Sequence, residues 1–230
     1  MKIVLFDIDG TMLQTDGAGR RAIRRALLDG MGATGPIDDM RFDGKTDPQI
    51  VRDLMQAAGH EFADSEEHIE DVCQRYVALL EHELDKPDHY LKIFPGVHEA
   101  LDAVEARQDG TLGLLTGNVR DGARLKLRKA GIEFERFKVG AFGSDAADRS
   151  HLPPIARDRA VQQFGKPLSG SDIVIIGDTP ADVTCGAGVG ARAIGVATGR
   201  YSEDELAAAG AYDVLPDLSD TDRVLEAIFG

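Results

Sequence analysis

The sequence predicts an α/β fold: a parallel sheet with helices on both faces, plus a small all-helical domain inserted after the first strand. Three observations carry this. Short apolar runs alternate with helical patterns along most of the 230 residues, the pattern of parallel strands joined by helical crossovers. Residues from about 14 to 91 break the alternation, with helical stretches and no convincing strand. Several of the apolar runs end abruptly in polar residues, as strands do when their carboxyl ends line a ligand crevice.

The first strand, Lys2–Phe6, runs straight into Asp7-Ile8-Asp9-Gly10-Thr11. Helical stretches follow near 18–29, 47–58 and 66–83, with Gly30, Gly32, Gly35 and Pro36 separating the first two. This places a helical insert at 14–91 and the sheet domain at 1–13 and 92–230. After Pro95-Gly96, Val97, Leu101 and Val104 recur at helical spacing. The run 112–115 is a strand ending in Thr116-Gly117-Asn118, and the next helix leaves through Gly131, a C-terminal glycine cap. A strand at 137–141 precedes Asp148-Arg149-Ser150-His151-Leu152-Pro153-Pro154 and a helix marked by Ile155, Val161 and Phe164. The strand 173–176 ends in Gly177-Asp178-Thr179-Pro180-Ala181-Asp182. Strands at 193–196 and, more weakly, 212–215 precede a last helix carrying Val224, Leu225 and Ile228.

The formal net charge is −14, from 40 acidic and 26 basic residues. Such a field repels phosphate backbones and anionic lipid headgroups, so nucleic-acid and membrane-surface partners are not expected. An anionic small molecule must then be held by local cations, a metal or backbone N–H groups. Cys73 and Cys185 are far apart and suggest neither a disulfide framework nor a metal cluster. The apolar start is broken at Asp7, too early for a secretory signal, and no run reaches membrane-spanning length. The expected location is cytoplasmic, as a monomer or homodimer.

Asp7 and Asp9 leave the same side of an extended backbone, because side chains alternate with period two. Two like charges this close call for a cation, a shared proton or a wet surface, and at the end of a buried strand the cation is the better account. Thr116 offers a hydroxyl, and Gly117 and Asn118 offer main-chain N–H groups, at a strand-to-helix turn where an anion is favoured. An ordinary turn with no ligand is an equal reading of that segment alone. Asp182 is read either as part of the site or as the N-cap of a short helix.

Taken together, Asp7-x-Asp9-Gly10-Thr11, then Thr116 after a strand, then Gly177-Asp178-x-x-x-Asp182, resemble the haloacid dehalogenase-like hydrolases in order and spacing. The phosphoglycolate phosphatase-type members, with a helical cap after the first motif, look most similar. The resemblance implies a Rossmann-like core, a Mg²⁺ cofactor and hydrolysis of a small phosphate monoester. It assigns Asp7 as nucleophile and Asp9 as the acid that protonates the leaving group and later activates water. Members that cleave carbon–halogen bonds generally lack the second aspartate, so Asp9 favours phosphate chemistry. The metal would take oxygens from Asp7, the main chain of Asp9 and Asp178, with Asp182 close by. Gly10, Thr11, Thr116, Gly117 and Asn118 would meet the phosphate, and Lys45, in the insert segment 41–47, the far end of the substrate; a loop followed by an Asp47 N-cap is at least an equal reading of that segment.

The sequence departs from the family at one point. The family usually carries a lysine just before a Pro-x-Pro-like turn, and here no lysine is present. Arg149 is the expected replacement, with Arg159 next, since a guanidinium fork suits phosphate. The same residues also serve a phosphomutase. From a different class, a module that binds phosphate and Mg²⁺ without turnover remains open.

Overall fold

The computed structural model describes residues 1–230. In chain order the elements are β1 (Lys2–Phe6), β2 (Leu13–Gln14), α1 (Ala18–Met31), α2 (Asp47–Ala57), α3 (Glu66–Leu84), β3 (Lys92–Ile93), α4 (Val97–Glu105), β4 (Gly110–Thr116) and α5 (Arg120–Lys129). They continue with β5 (Val139–Phe142), α6 (Leu152–Phe164), β6 (Ile173–Gly177), α7 (Pro180–Cys185), β7 (Arg192–Val196), α8 (Glu203–Ala208), β8 (Asp213–Leu215) and α9 (Thr221–Phe229).

Six strands form one sheet in the order β5-β4-β1-β6-β7-β8, and every pairing in it is parallel. Strand alternation sends Val4 and Phe6 to one face and Ile3 and Leu5 to the other. The first face packs under α4, α5 and α9 through Val97, Leu101, Ala123, Leu127, Val224 and Ile228. The second packs under α6 through Leu152, Ala156 and Ala160. Both faces being covered explains why β1 and β6 read as unbroken apolar runs.

Helices α1, α2 and α3 carry their own core, built from Ile23, Leu27, Ile50, Leu54, Val72 and Tyr76. Thr46 caps α2, its hydroxyl accepting from the Gln49 N–H at 3.2 Å, and Asp47 is the first helical residue rather than the cap. The chain passes from the sheet into these helices through β2 and returns through β3, and the two strands pair antiparallel, Leu13 opposite Ile93. Two residues are too short a run for any period to show, so this pair is absent from the expected strands.

β1 lies between β4 and β6, with Phe6 opposite both Leu114 and Ile176. The three polar strand ends therefore emerge side by side, Asp7 in the middle, Thr116 on one flank and Asp178 on the other.

Candidate active site

A cavity of about 480 Å³ opens over these strand ends, within the range that encloses a small ligand. The sheet domain contributes Asp7, Asp9, Thr116, Asn118, Arg149 and Asp178 to its walls, and the helical insert contributes Arg20, Lys45, Asp47 and Tyr76.

Asp7 is buried, and Arg149 Nη2 lies 3.2 Å from its Oδ1. Arg149 is itself buried and also pairs with Asp182. Burial pushes the Asp7 carboxyl above its ordinary range; Arg149 opposes this, and Asp182 and Asp9 reinforce it. Asp178 is pushed up further, by burial first and then by Asp182 and Asp7, against the Thr11 hydrogen bond and Arg149. Burial also works against the charge on Arg149, but Asp182 and Asp7 outweigh it and hold the guanidinium more firmly protonated than usual.

One carboxylate oxygen from each of Asp7, Asp178 and Asp182 lies within 4.8 Å of the others, all three residues buried. Arg149 offsets only part of this negative charge, and the carboxylates of Asp7 and Asp178, which line the cavity, are hard oxygen donors that fit Mg²⁺. The turn over Asp178 leaves no room for side chains. Gly10 sits at φ 85°, and a Cβ there would fall 2.3 Å from Asp178 Oδ2; one on Gly199 would fall 1.9 Å from the same atom.

Asp182 already has both oxygens engaged. Oδ1 pairs with Arg149, and Oδ2 accepts from the Thr179 N–H at 3.0 Å and hydroxyl at 2.6 Å. Thr179 is the N-cap of α7 and Asp182 its third residue, a reciprocal capping box, so the expected N-cap role of Asp182 moves to Thr179. Asp182 does not line the cavity; it orients Arg149. Thr11, expected at the substrate, is fully buried away from the cavity walls and donates its hydroxyl to Asp178 Oδ1 at 3.0 Å. Its effect is to orient Asp178.

Asp9 faces the cavity with its side chain 42% exposed. Its Oδ2 accepts from Asn118 Nδ2 at 2.7 Å and from Lys126 Nζ at 2.6 Å. Gly117 lines the cavity beside Thr116 and Asn118, and its carbonyl accepts from the Asp47 N–H at 2.8 Å. Lys45 reaches the cavity wall, where its Nζ pairs with Asp53 at 2.7 Å. Arg159 does not reach the site. It turns to Asp145, at 2.6 and 2.7 Å, and to the Gly140 carbonyl at 2.7 Å, on the outer edge of the sheet at β5. Of the two expected arginines, Arg149 alone stands beside Asp7, because it precedes α6 in a short turn while Arg159 lies two turns into that helix.

Sequence reasoning missed Lys126, Asp47 and Tyr76. Lys126 carried one usable signal: it follows Gly122 and Ala123 at helical spacing and sits among buried residues of α5, an unusual place for a lysine. Asp47 has no signal beyond its place in the first turn of α2. Burial pushes its carboxyl up to about 6, with Lys126 and the Val119 N–H opposing. The folded protein therefore binds a proton more tightly than the unfolded chain, and the stability Asp47 contributes is lost as pH rises from about 4 through 6. Asp47→Asn can still accept from the Val119 N–H, which now donates to Asp47 Oδ2 at 2.8 Å. Relative to wild type, the variant should gain on the order of 2 kcal/mol between pH 4.5 and 8, measured by denaturant unfolding in EDTA.

Comparison with known proteins places the chain among relatives of known family. The probable phosphatase IndB of Dickeya dadantii is 28% identical over 209 residues, covering 90% of this chain and 86% of that protein. A 5′-nucleotidase of Pseudomonas aeruginosa is 28% identical over 227 residues, 97% of this chain and 95% of the relative. Among solved structures, a hydrolase from Pseudomonas syringae superposes with a TM-score of 0.70 at 20% identity, covering 100% of this chain and 99% of its own, a likeness of fold. The sequence profile of the haloacid dehalogenase-like hydrolases matches residues 4–196, and the chain belongs to that family.

Proposed function

We propose that this protein is a Mg²⁺-dependent phosphatase that hydrolyses a small phosphate monoester through an aspartyl phosphate on Asp7. The observation that supports it most is the buried Asp7 carboxylate held 3.2 Å from Arg149 at the mouth of β1, with Asp9 facing the same cavity. Asp7 attacks phosphorus while the bond to the leaving oxygen breaks, and Asp9 gives that oxygen its proton. Asp9 then takes a proton from water as the water attacks the same phosphorus, freeing phosphate and restoring Asp7. Arg149 carries charge that builds on the phosphoryl oxygens. The metal would be held by Asp7, the main-chain carbonyl of Asp9 and Asp178. Bound there, Mg²⁺ would offset the repulsion between Asp7 and the phosphoryl group. Thr116, Gly117 and Asn118 meet the phosphate. Residues 14–91 act as a cap whose Arg20, Lys45 and Tyr76 face the leaving group and exclude bulk water.

Phosphate release from a panel of small monoesters, headed by phosphoglycolate and 5′-nucleotides, tests this. At least one ester should be hydrolysed with Mg²⁺ and spared in excess EDTA. Failure across the panel, or release that EDTA leaves untouched, contradicts the proposal.

A further inference from the structure

Lys126 is a buried lysine from the middle of α5, its side chain 5% exposed. Its Nζ donates to Asp9 Oδ2 and to Asn118 Oδ1, both at 2.6 Å. Asn118 closes the loop, donating from Nδ2 to the same Asp9 Oδ2 at 2.7 Å and to Thr116 Oγ1 at 2.8 Å. Both hydrogen bonds that the Asp9 carboxylate accepts thus fall on one oxygen, while Oδ1 takes no donor. The arrangement is enclosed: a Cβ on Gly19 of α1 would lie 3.7 Å from the Tyr76 hydroxyl and 3.9 Å from Lys126 Nζ. The insert helices therefore close over this ammonium and shield it from water, which strengthens its pull on the carboxylate.

We infer that Lys126 is a positioning residue for proton transfer, clamping Asp9 Oδ2 so that Oδ1 alone exchanges the proton with the leaving oxygen. The inference rests on the reading of Asp9 as the acid of the first step. In that step the Asp7 oxygen forms its bond to phosphorus, the ester P–O bond breaks, and its electron pair stays on the leaving oxygen. That oxygen takes the proton from Asp9 Oδ1, and Asp9 is left as a carboxylate. Its new charge appears against the Lys126 ammonium, already in place, so little reorganisation is needed. A lysine that merely fills the seam between α5 and the insert would matter equally for every substrate.

Leaving-group dependence separates the two. An alkyl ester needs its oxygen protonated on departure, whereas p-nitrophenolate leaves without a proton. Because kcat/KM reports the steps up to phosphorylation of Asp7, it isolates the acid role. Lys126→Met should lower kcat/KM for an alkyl monoester by about 10²-fold and that for p-nitrophenyl phosphate by less than about 5-fold. Lys126→Arg, which keeps the charge, should recover part of the alkyl-ester rate. Thermal unfolding of both variants checks that they fold. An equal loss on both esters, or no loss on either, overturns the inference. Asp9→Asn is the control for the underlying reading. If it shows the same selectivity while Lys126→Met does not, only the role of Lys126 falls. If Asp9→Asn shows no selectivity, the assignment of Asp9 as acid falls, and the inference with it.

Discussion

Asp7→Asn should lower kcat for phosphate release by about 10⁴-fold or more, because the role proposed for Asp7, a covalent nucleophile, is the reaction path itself rather than one of its supports. The substitution is nearly isosteric. The amide still fills the space between Thr116 and Arg149, so the fold should survive. Burial already disfavours the ionised Asp7, and a neutral amide ends that cost, so thermal stability in EDTA should rise or hold rather than fall. Loss of turnover with stability maintained would separate a chemical role for Asp7 from a structural one. A variant that keeps a tenth of wild-type turnover would rule Asp7 out as the nucleophile.

The second large effect is at Arg149. Its guanidinium is the one cation in contact with both Asp7 and Asp182, and Asp178 stands in the same acidic cluster. Arg149→Met removes that cation while leaving the buried acids, which should cost about 3–5 kcal/mol of stability without metal. It should also lower kcat by about 10²–10³-fold through loss of charge stabilisation at the phosphoryl oxygens. The stability loss has a direction in pH. With Asp7 and Asp178 already pushed up by burial and mutual repulsion, losing the cation raises them further. The stability deficit should therefore grow as pH rises and these acids ionise. Arg149→Lys keeps one charge but loses the fork that spans two carboxylates, so it should fall between the two. Denaturant unfolding at two pH values and steady-state kinetics check both. Equal stability of Arg149→Met and wild type at high pH would contradict the account.

The parts of the site that were legible in the sequence are those that sit at strand ends. Lys2–Phe6, 112–115 and 173–176 are apolar without a break because both faces of the sheet are covered, and each stops where polar residues begin. Order and spacing then bring Asp7, Thr116 and Asp178 to one edge of the sheet. The sequence ranks Arg149 ahead of Arg159 only by its place just before the Pro153-Pro154 turn; which arginine faces Asp7 depends on where the short turn ends and α6 begins. Thr179 and Asp182 form a capping box that is visible as Thr-x-x-Asp, yet nothing local tells that the same carboxylate also grips Arg149, 33 residues away. The contact of Lys126 with Asp9 spans 117 residues and rests on how α5 packs beneath the insert. No periodicity encodes that. A hydroxyl beside two acids suits a phosphate and a neighbouring carboxylate equally well, so nothing in the sequence aims Thr11; in the structure its hydroxyl donates to Asp178.

The most direct test of the account is an acid-quenched single turnover with a ³²P-labelled monoester and Mg²⁺, followed by peptide mapping. The quenched protein should carry label that hydroxylamine strips, on the peptide carrying Asp7 and absent from Asp7→Asn. Phosphate released at full rate with no labelled protein at any quench time, and turnover retained in Asp7→Asn, would contradict it.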